Sequence, residues 1–191
     1  MRIGIFGGSF NPIHTGHTRL GQWLVRKNYV DELWFMVSPL NPLKQNSTEL
    51  LPDGLRLQLA QLAVEGKTGL RVSDFEMHLP RPSYMVHTLA QLRQAYPQHE
   101  FLLIIGADNW LRFNQWRNSE EIMLHHRLLV YPRPGYALDT ASMPQGVSLV
   151  ATPLFNISST QIRQAIAHGH YHGRGLSPKV WKSIKQNRYY L

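Results

Sequence analysis

A chain of 191 residues is long enough to bury one substantial core and too short for two full domains. Its 43% hydrophobic and 17% charged residues exclude disorder as the default, and the absence of cysteine excludes disulfides, thiolate metal sites and cysteine catalysis. The net charge of +8 is concentrated late, with eight lysines and arginines against the single acid Asp139 from Ile122 to Leu191, so an anionic partner is expected, either nucleic acid or a phosphorylated small molecule.

Arg2–Phe6 is a short apolar segment running into Gly7-Gly8, which predicts a buried first strand and a glycine turn. It is too short for the core of a signal peptide, and no later stretch approaches the length of a membrane span. The expected placement is therefore the cytosol, with no membrane partner. Gly16 to about Lys27 sets Leu20, Trp23 and Leu24 at helical spacing, and Glu32–Val37 predicts a second strand. Residues 38–52 carry three prolines, two asparagines and Lys44, the composition of a long functional loop.

Asp53 is placed to cap a helix whose Leu55, Leu59, Leu62 and Ala63 share a face, and Leu70–Phe75 predicts another strand. Ser83 is placed to cap a helix through Tyr96; Phe101–Ile105 is the clearest buried strand and ends at Gly106. Leu128–Tyr131 and Val147–Ala151 predict two more strands, and Val180, Trp181 and Ile184 mark an amphipathic packing helix with a cationic outer face. The alternation predicts an α/β fold, a mostly parallel sheet with helices on both faces. A C-terminal helical part follows from roughly residue 158, within one domain spanning the chain. In such sheets ligands bind beyond the carboxyl ends of the strands, where the informative loops fall.

The strongest signal is Gly7-Gly-Ser-Phe-Asn-Pro-Ile-His-Thr-Gly-His17, between the first strand and the first helix. Its glycines permit close backbone approach, the helix start presents unpaired N–H groups, and two imidazoles add donors for an anion. Two exposed histidines after a tight turn, or half of a metal site, are the alternatives at this point. The second signal is Ile157-Ser-Ser-Thr-Gln-Ile-Arg163, where Ser158 or Ser159 sits at a helix N-cap and Arg163 follows about one turn later. Taken alone, a capped surface helix with a solvated arginine explains it equally well. The alternating imidazoles of His168-Gly-His-Tyr-His172 have the look of a metal site, but their glycines favour a flexible loop.

Together the two segments resemble the HxGH-type nucleotidyltransferase superfamily, whose signatures are a G-x-F-x-P-x-H-x-G-H loop and a late I-S-S-T-x-I-R segment. Within it the chain is similar, nearly end to end, to the nicotinate-nucleotide adenylyltransferase family. The markers lie in order: Ser83-Tyr84 with Thr88-Leu89, Ile105-Gly-Ala-Asp108, Phe113-x-x-Trp116, Arg133-Pro-Gly135, and Pro178-x-Val180 before Tyr189-Tyr190. It departs from the family at Met85, where threonine commonly follows Ser-Tyr.

The resemblance implies a Rossmann-like fold and transfer of AMP from ATP to nicotinate mononucleotide. It implies His14, His17 and Arg163 as catalytic groups, and Gly7, Gly8, Ser9, Phe10, Gly106, Asp108, Ile157, Ser158 and Thr160 beside them at ATP. Ser9, Lys44, Tyr84, Thr88, Trp116 and Arg133 are implied for the mononucleotide, with Trp116 stacked on its pyridine ring. A magnesium ion held mainly by substrate phosphates is implied, with no protein metal site. Phosphopantetheine adenylyltransferase shares both signatures but should lack the Trp116 and Arg-Pro-Gly context. A nucleic-acid-binding protein is the rival suggested by charge, yet no nucleic-acid motif occurs, so nucleic acid is not an expected partner. Association into a homo-oligomer is left open.

Overall fold

Six apolar segments form the sheet: β1 (Arg2–Gly8), β2 (Glu32–Val37), β3 (Leu70–Ser73), β4 (Glu100–Gly106), β5 (Leu128–Tyr131) and β6 (Val147–Leu149). They lie in the order β3-β2-β1-β4-β5-β6, every neighbouring pair parallel. The structure, a computed structural model, describes residues 1–39, 50–139 and 143–191. The connecting helices are α1 (Thr15–Arg26), α2 (Asp53–Val64), α3 (Met85–Ala95), α4 (Ala107–Trp110), α5 (Ser119–His125), α6 (Ser159–Ala167) and α7 (Pro178–Asn187).

The period-two side-chain alternation of a strand explains why helices cover both faces. Phe6, Leu33, Phe35, Leu102, Ile104 and Leu129 point to one face, where they meet Leu20 and Leu24 of α1, Leu59 of α2, Ile162 of α6 and Val180 and Ile184 of α7. Ile3, Ile5, Met36, Leu103, Ile105 and Val130 point to the other, against Val86, Leu89 and Leu92 of α3 and Ile122 of α5. Full burial of each such side chain stabilises by about 1.5–3 kcal/mol, which holds the layers together. The strand order reverses between β1 and β4, and in such a sheet ligands bind beyond the carboxyl ends of the strands at that switch point, here past Gly8 and Gly106.

Several local expectations are corrected. Asp53 is the first helical residue rather than the cap, because its carboxylate is engaged by Arg56 and Arg81. The buried stripe of α2 is Arg56, Leu59, Ala60 and Ala63, with Leu55 and Leu62 only half-buried. Arg56 is completely buried because its donors are met by the carbonyls of Ser9 (2.6 Å), Ser38 (2.8 Å), Pro39 (3.1 Å) and Leu51 (2.9 Å), and by Asp53. Ser83 does not cap α3; its hydroxyl faces buried Glu76, the N-cap position falls to Tyr84, and the helix ends at Ala95. β3 stops at Ser73, whose hydroxyl accepts the Phe75 N–H, and a 3-10 turn at Phe75–His78 replaces the rest of that strand. β6 is shorter than expected, and α4 and α5 were not anticipated.

Candidate active site

The loop after β1 is shaped by small residues where bulk would collide. A side chain at Gly16 would strike the His14 ring at 3.0 Å, and one at Gly8 the Phe10 ring at 3.0 Å. His14 therefore lies over the first turn of α1 as its N-cap residue, and Phe10 folds back edge-on to Phe6. Gly106 closes the floor, since any Cβ there would run into the Asp108 carboxylate and the Tyr131 and Arg133 side chains.

His14 and His17 stack, with ring centroids 3.6 Å apart. The backbone N–H of His14 donates to Nδ1 of His17 at 3.2 Å, a capping-box bond in which His17 takes the place usually held by Glu or Gln. That bond fixes the tautomer: with Nδ1 accepting, the proton of the neutral ring must sit on Nε2, which becomes a donor. Burial among Phe6, Phe10 and the His14 ring, reinforced by electrostatic repulsion first from His14 and then from Arg133, holds the His17 pKa well below its ordinary value. Burial and then Arg133 lower His14 to about 4. Both rings are neutral near pH 7 and act as hydrogen-bond donors rather than fixed cations.

These shifts carry a stability cost at low pH. The folded value of His14 lies below the ordinary 6.5, so the unfolded chain binds the proton more readily. Stability is fully present above about pH 6.5 and is lost as the pH falls towards about 4, a contribution of roughly 3 kcal/mol at about 1.4 kcal/mol per unit. The melting temperature should fall more steeply from about pH 7 to about pH 5 in the unaltered protein than in His14→Gln. Parallel pH profiles would contradict the assignment.

Opposite the histidines stand Tyr131 at the end of β5 and Pro132 and Arg133 just beyond it, with Phe155 and Ile157 from the approach to α6, so one crevice joins β1, the start of α1, β5 and the segment before α6. Arg133 Nε lies 3.4 Å from Asp108 Oδ1, an ion pair that ties the ends of β4 and β5. Arg163 of α6 donates from Nη1 to the carbonyl of Asn11 at 2.9 Å, and the Ser159 hydroxyl donates to the Pro12 carbonyl at 2.9 Å. Both signature segments are thereby joined. Ser158 is the N-cap of α6 and its side chain makes no capping bond; Thr160 is exposed in the first turn. The Ser9 hydroxyl is buried and has no hydrogen-bond partner among the described residues.

Of the residues expected at the mononucleotide, Arg133 lines this crevice and Ser9 lies in its loop, whereas Tyr84, Thr88 and Trp116 lie apart from it. Tyr84 and Trp116 pack on the α3 face of the sheet, Trp116 with its ring 5.3 Å from Phe113. The Met85 side chain reaches the space beside Gly7, which brings the start of α3 to the end of β1. Thr88 is fully buried and donates to Glu76 at 2.8 Å, so its hydroxyl braces α3 against the end of β2, where Ser38 also donates to Glu76 at 2.6 Å. Lys44 lies outside the described residues. Arg56 and Glu76 carry no local mark in the sequence, and Asn11, although inside the first signature segment, occupies one of its variable positions; the roles of all three come chiefly from partners elsewhere in the chain.

A crevice lined by two neutral imidazoles and Arg133, beside a loop that Arg163 holds, is that of a nucleotidyltransferase in this fold, and residues 5–165 match the Cytidylyltransferase-like family. The protein named "Probable nicotinate-nucleotide adenylyltransferase" in Bacteroides fragilis is 54% identical over 185 residues, which cover 97% of this chain and 92% of that one. The protein of the same name in Flavobacterium johnsoniae is 42% identical over 193 residues, covering 100% and 99%. The chain belongs to the nicotinate-nucleotide adenylyltransferase family. Its fold is that of the Plasmodium falciparum nicotinic acid mononucleotide adenylyltransferase complexed with NaAD, at a TM-score of 0.81 and 18% identity over 99% of this chain and 97% of the other. No helix among the described residues is long and apolar enough to cross a membrane.

Proposed function

We propose that the protein transfers the adenylyl group of ATP to nicotinate mononucleotide, releasing pyrophosphate and forming nicotinate adenine dinucleotide for NAD biosynthesis. The observation that carries this reading is the pairing of the two signature segments across one crevice, in a chain 54% identical to a named member of the family.

The chemistry follows from the donors. An oxygen of the mononucleotide 5′-phosphate attacks the α-phosphorus of ATP; the new P–O bond forms as the bond to the β-phosphate oxygen breaks, and pyrophosphate leaves with that electron pair. The nucleophile is an anion at neutral pH, so no general base is required, and catalysis consists of in-line positioning and neutralisation of charge. His17 Nε2–H, His14, Arg163 and the loop amides bind the triphosphate; Arg133 binds phosphate and Asp108 ribose, while Trp116 holds the pyridine ring.

No group of three or more His, Asp or Glu side chains suited to a metal ion occurs among the described residues, and Asp108 is already paired with Arg133. Such a site would leave a magnesium ion to be held mainly by phosphate oxygens and water rather than by protein side chains. The ion would supply charge neutralisation on the phosphates.

Pyrophosphate release from ATP and magnesium, measured with each candidate acceptor in turn, tests the reading; release with nicotinate mononucleotide supports it, and release only with phosphopantetheine overturns it. Arg163→Lys should lower kcat/KM about tenfold although charge is kept, since a planar fork already bonded to Asn11 can meet phosphate oxygens in a geometry an ammonium does not reproduce. Unchanged kinetics in that variant would remove Arg163 from the phosphate site.

A further inference from the structure

The loop from Ser9 to Pro12 has no regular secondary structure, yet partners distant in sequence hold it. Asn11 is the focus. Its side-chain Oδ1 accepts two hydrogen bonds, one from the Tyr190 hydroxyl at 2.8 Å and one from the Leu51 N–H at 3.2 Å, while its backbone carbonyl accepts from Arg163 at 2.9 Å. Two donors on Oδ1 occupy both of its lone-pair directions and set the plane of the carboxamide. Tyr190 follows α7, half-buried against the α1–α2 face of the sheet and 179 positions from Asn11.

We propose that Tyr190 is a positioning residue for ATP: through Asn11 it fixes the loop that aims Arg163 at the phosphate chain. The helical part at the end of the chain is then a component of the nucleotide site as well as a cover for α2. This inference rests on the adenylyltransferase reading. Its effect is specific to one substrate, because Tyr190, α6 and the residues that flank Asn11 pack on one face of the sheet while Tyr84 and Trp116 pack on the other.

Tyr190→Phe removes one hydroxyl and keeps the ring. Loss of one neutral hydrogen bond at this distance from the phosphates is expected to lower kcat/KM for ATP about fivefold, with the KM for nicotinate mononucleotide unchanged and the melting temperature lowered by no more than about 2–4 °C. In an Arg163→Lys background the same substitution should have little further effect, because the two act in series. Tyr171→Phe, which removes a hydroxyl bonded at 2.7 Å to the Arg174 carbonyl in an exposed loop, is the control and should behave as the unaltered protein. Unaltered ATP kinetics in Tyr190→Phe, equal losses for both substrates with a larger fall in melting temperature, or full additivity with Arg163→Lys would overturn the proposal. Turnover of the unaltered protein in the same assay reports separately on the enzymatic reading. Should that turnover be absent, calorimetric ATP binding decides for Tyr190, and equal Kd values in the two proteins would reject it.

Discussion

Replacing His17 by alanine is expected to lower kcat by about a hundredfold or more, the usual cost of removing one preorganised donor from developing charge. The His14 amide spends the Nδ1 lone pair, so the proton stands on Nε2 without help from a bound ligand. The ring is held by stacking on His14 and by the edges of Phe6 and Phe10, leaving little to reorganise during the reaction. Alanine also removes the acceptor for the His14 N–H, a capping loss of about 1 kcal/mol that would blur the reading. His17→Gln separates the two roles: it keeps a neutral capping-box acceptor and so limits the loss of melting temperature, but it does not hold an imidazole Nε2–H against the phosphates, and its turnover should fall as well. Near-normal kcat at saturating substrates in either variant would take His17 out of the phosphate site.

The second large effect concerns the acceptor. Nicotinate and nicotinamide mononucleotides differ in presenting a carboxylate or an amide, so a site that discriminates must be rich in donors. Tyr84 is the extended N-cap residue of α3 and its side chain makes no capping bond, so the first N–H groups of the helix point out of its end. Met85 provides no strong side-chain donor, which leaves recognition to those amides and to the positive end of the helix. The Arg117 guanidinium lies 4.7 Å from the centre of the Tyr84 ring and adds further positive potential. Hydrogen bonds to a charged group contribute about 1.5–3 kcal/mol each, so two of them support a preference of about a hundredfold in kcat/KM for the acid. Equal kcat/KM values at saturating ATP would reject acid-selective recognition and leave adenylyl transfer standing.

What the sequence disclosed was local pattern. The apolar runs of β1, β2, β4 and β5 fall where expected because a buried parallel strand is written as a continuous hydrophobic segment. The glycine loop was legible because each small residue answers a steric demand within a few positions, as Gly16 does beneath His14. Expectations failed where a polar side chain had a partner that outcompeted the helix end. Asp53 and Ser83 have cap-forming chemistry, yet Arg56 and Arg81 claim the first and Glu76 faces the second. Arg56 looks like a solvated helix residue until four carbonyls from three separate segments converge on it. The bond from Tyr190 to Asn11 spans nearly the whole chain, and no short-range spacing announces it.

The central claim, nucleophilic attack at the α-phosphorus of ATP by a mononucleotide phosphate, is tested most directly by following the label from ATP carrying isotope at either the α- or the γ-phosphate. With magnesium and nicotinate mononucleotide, the α-label should appear in a dinucleotide and the γ-label in pyrophosphate, in equal amounts and at equal rates. Transfer of the γ-label to the acceptor with release of ADP, or failure of the α-label to enter any dinucleotide, would contradict the account.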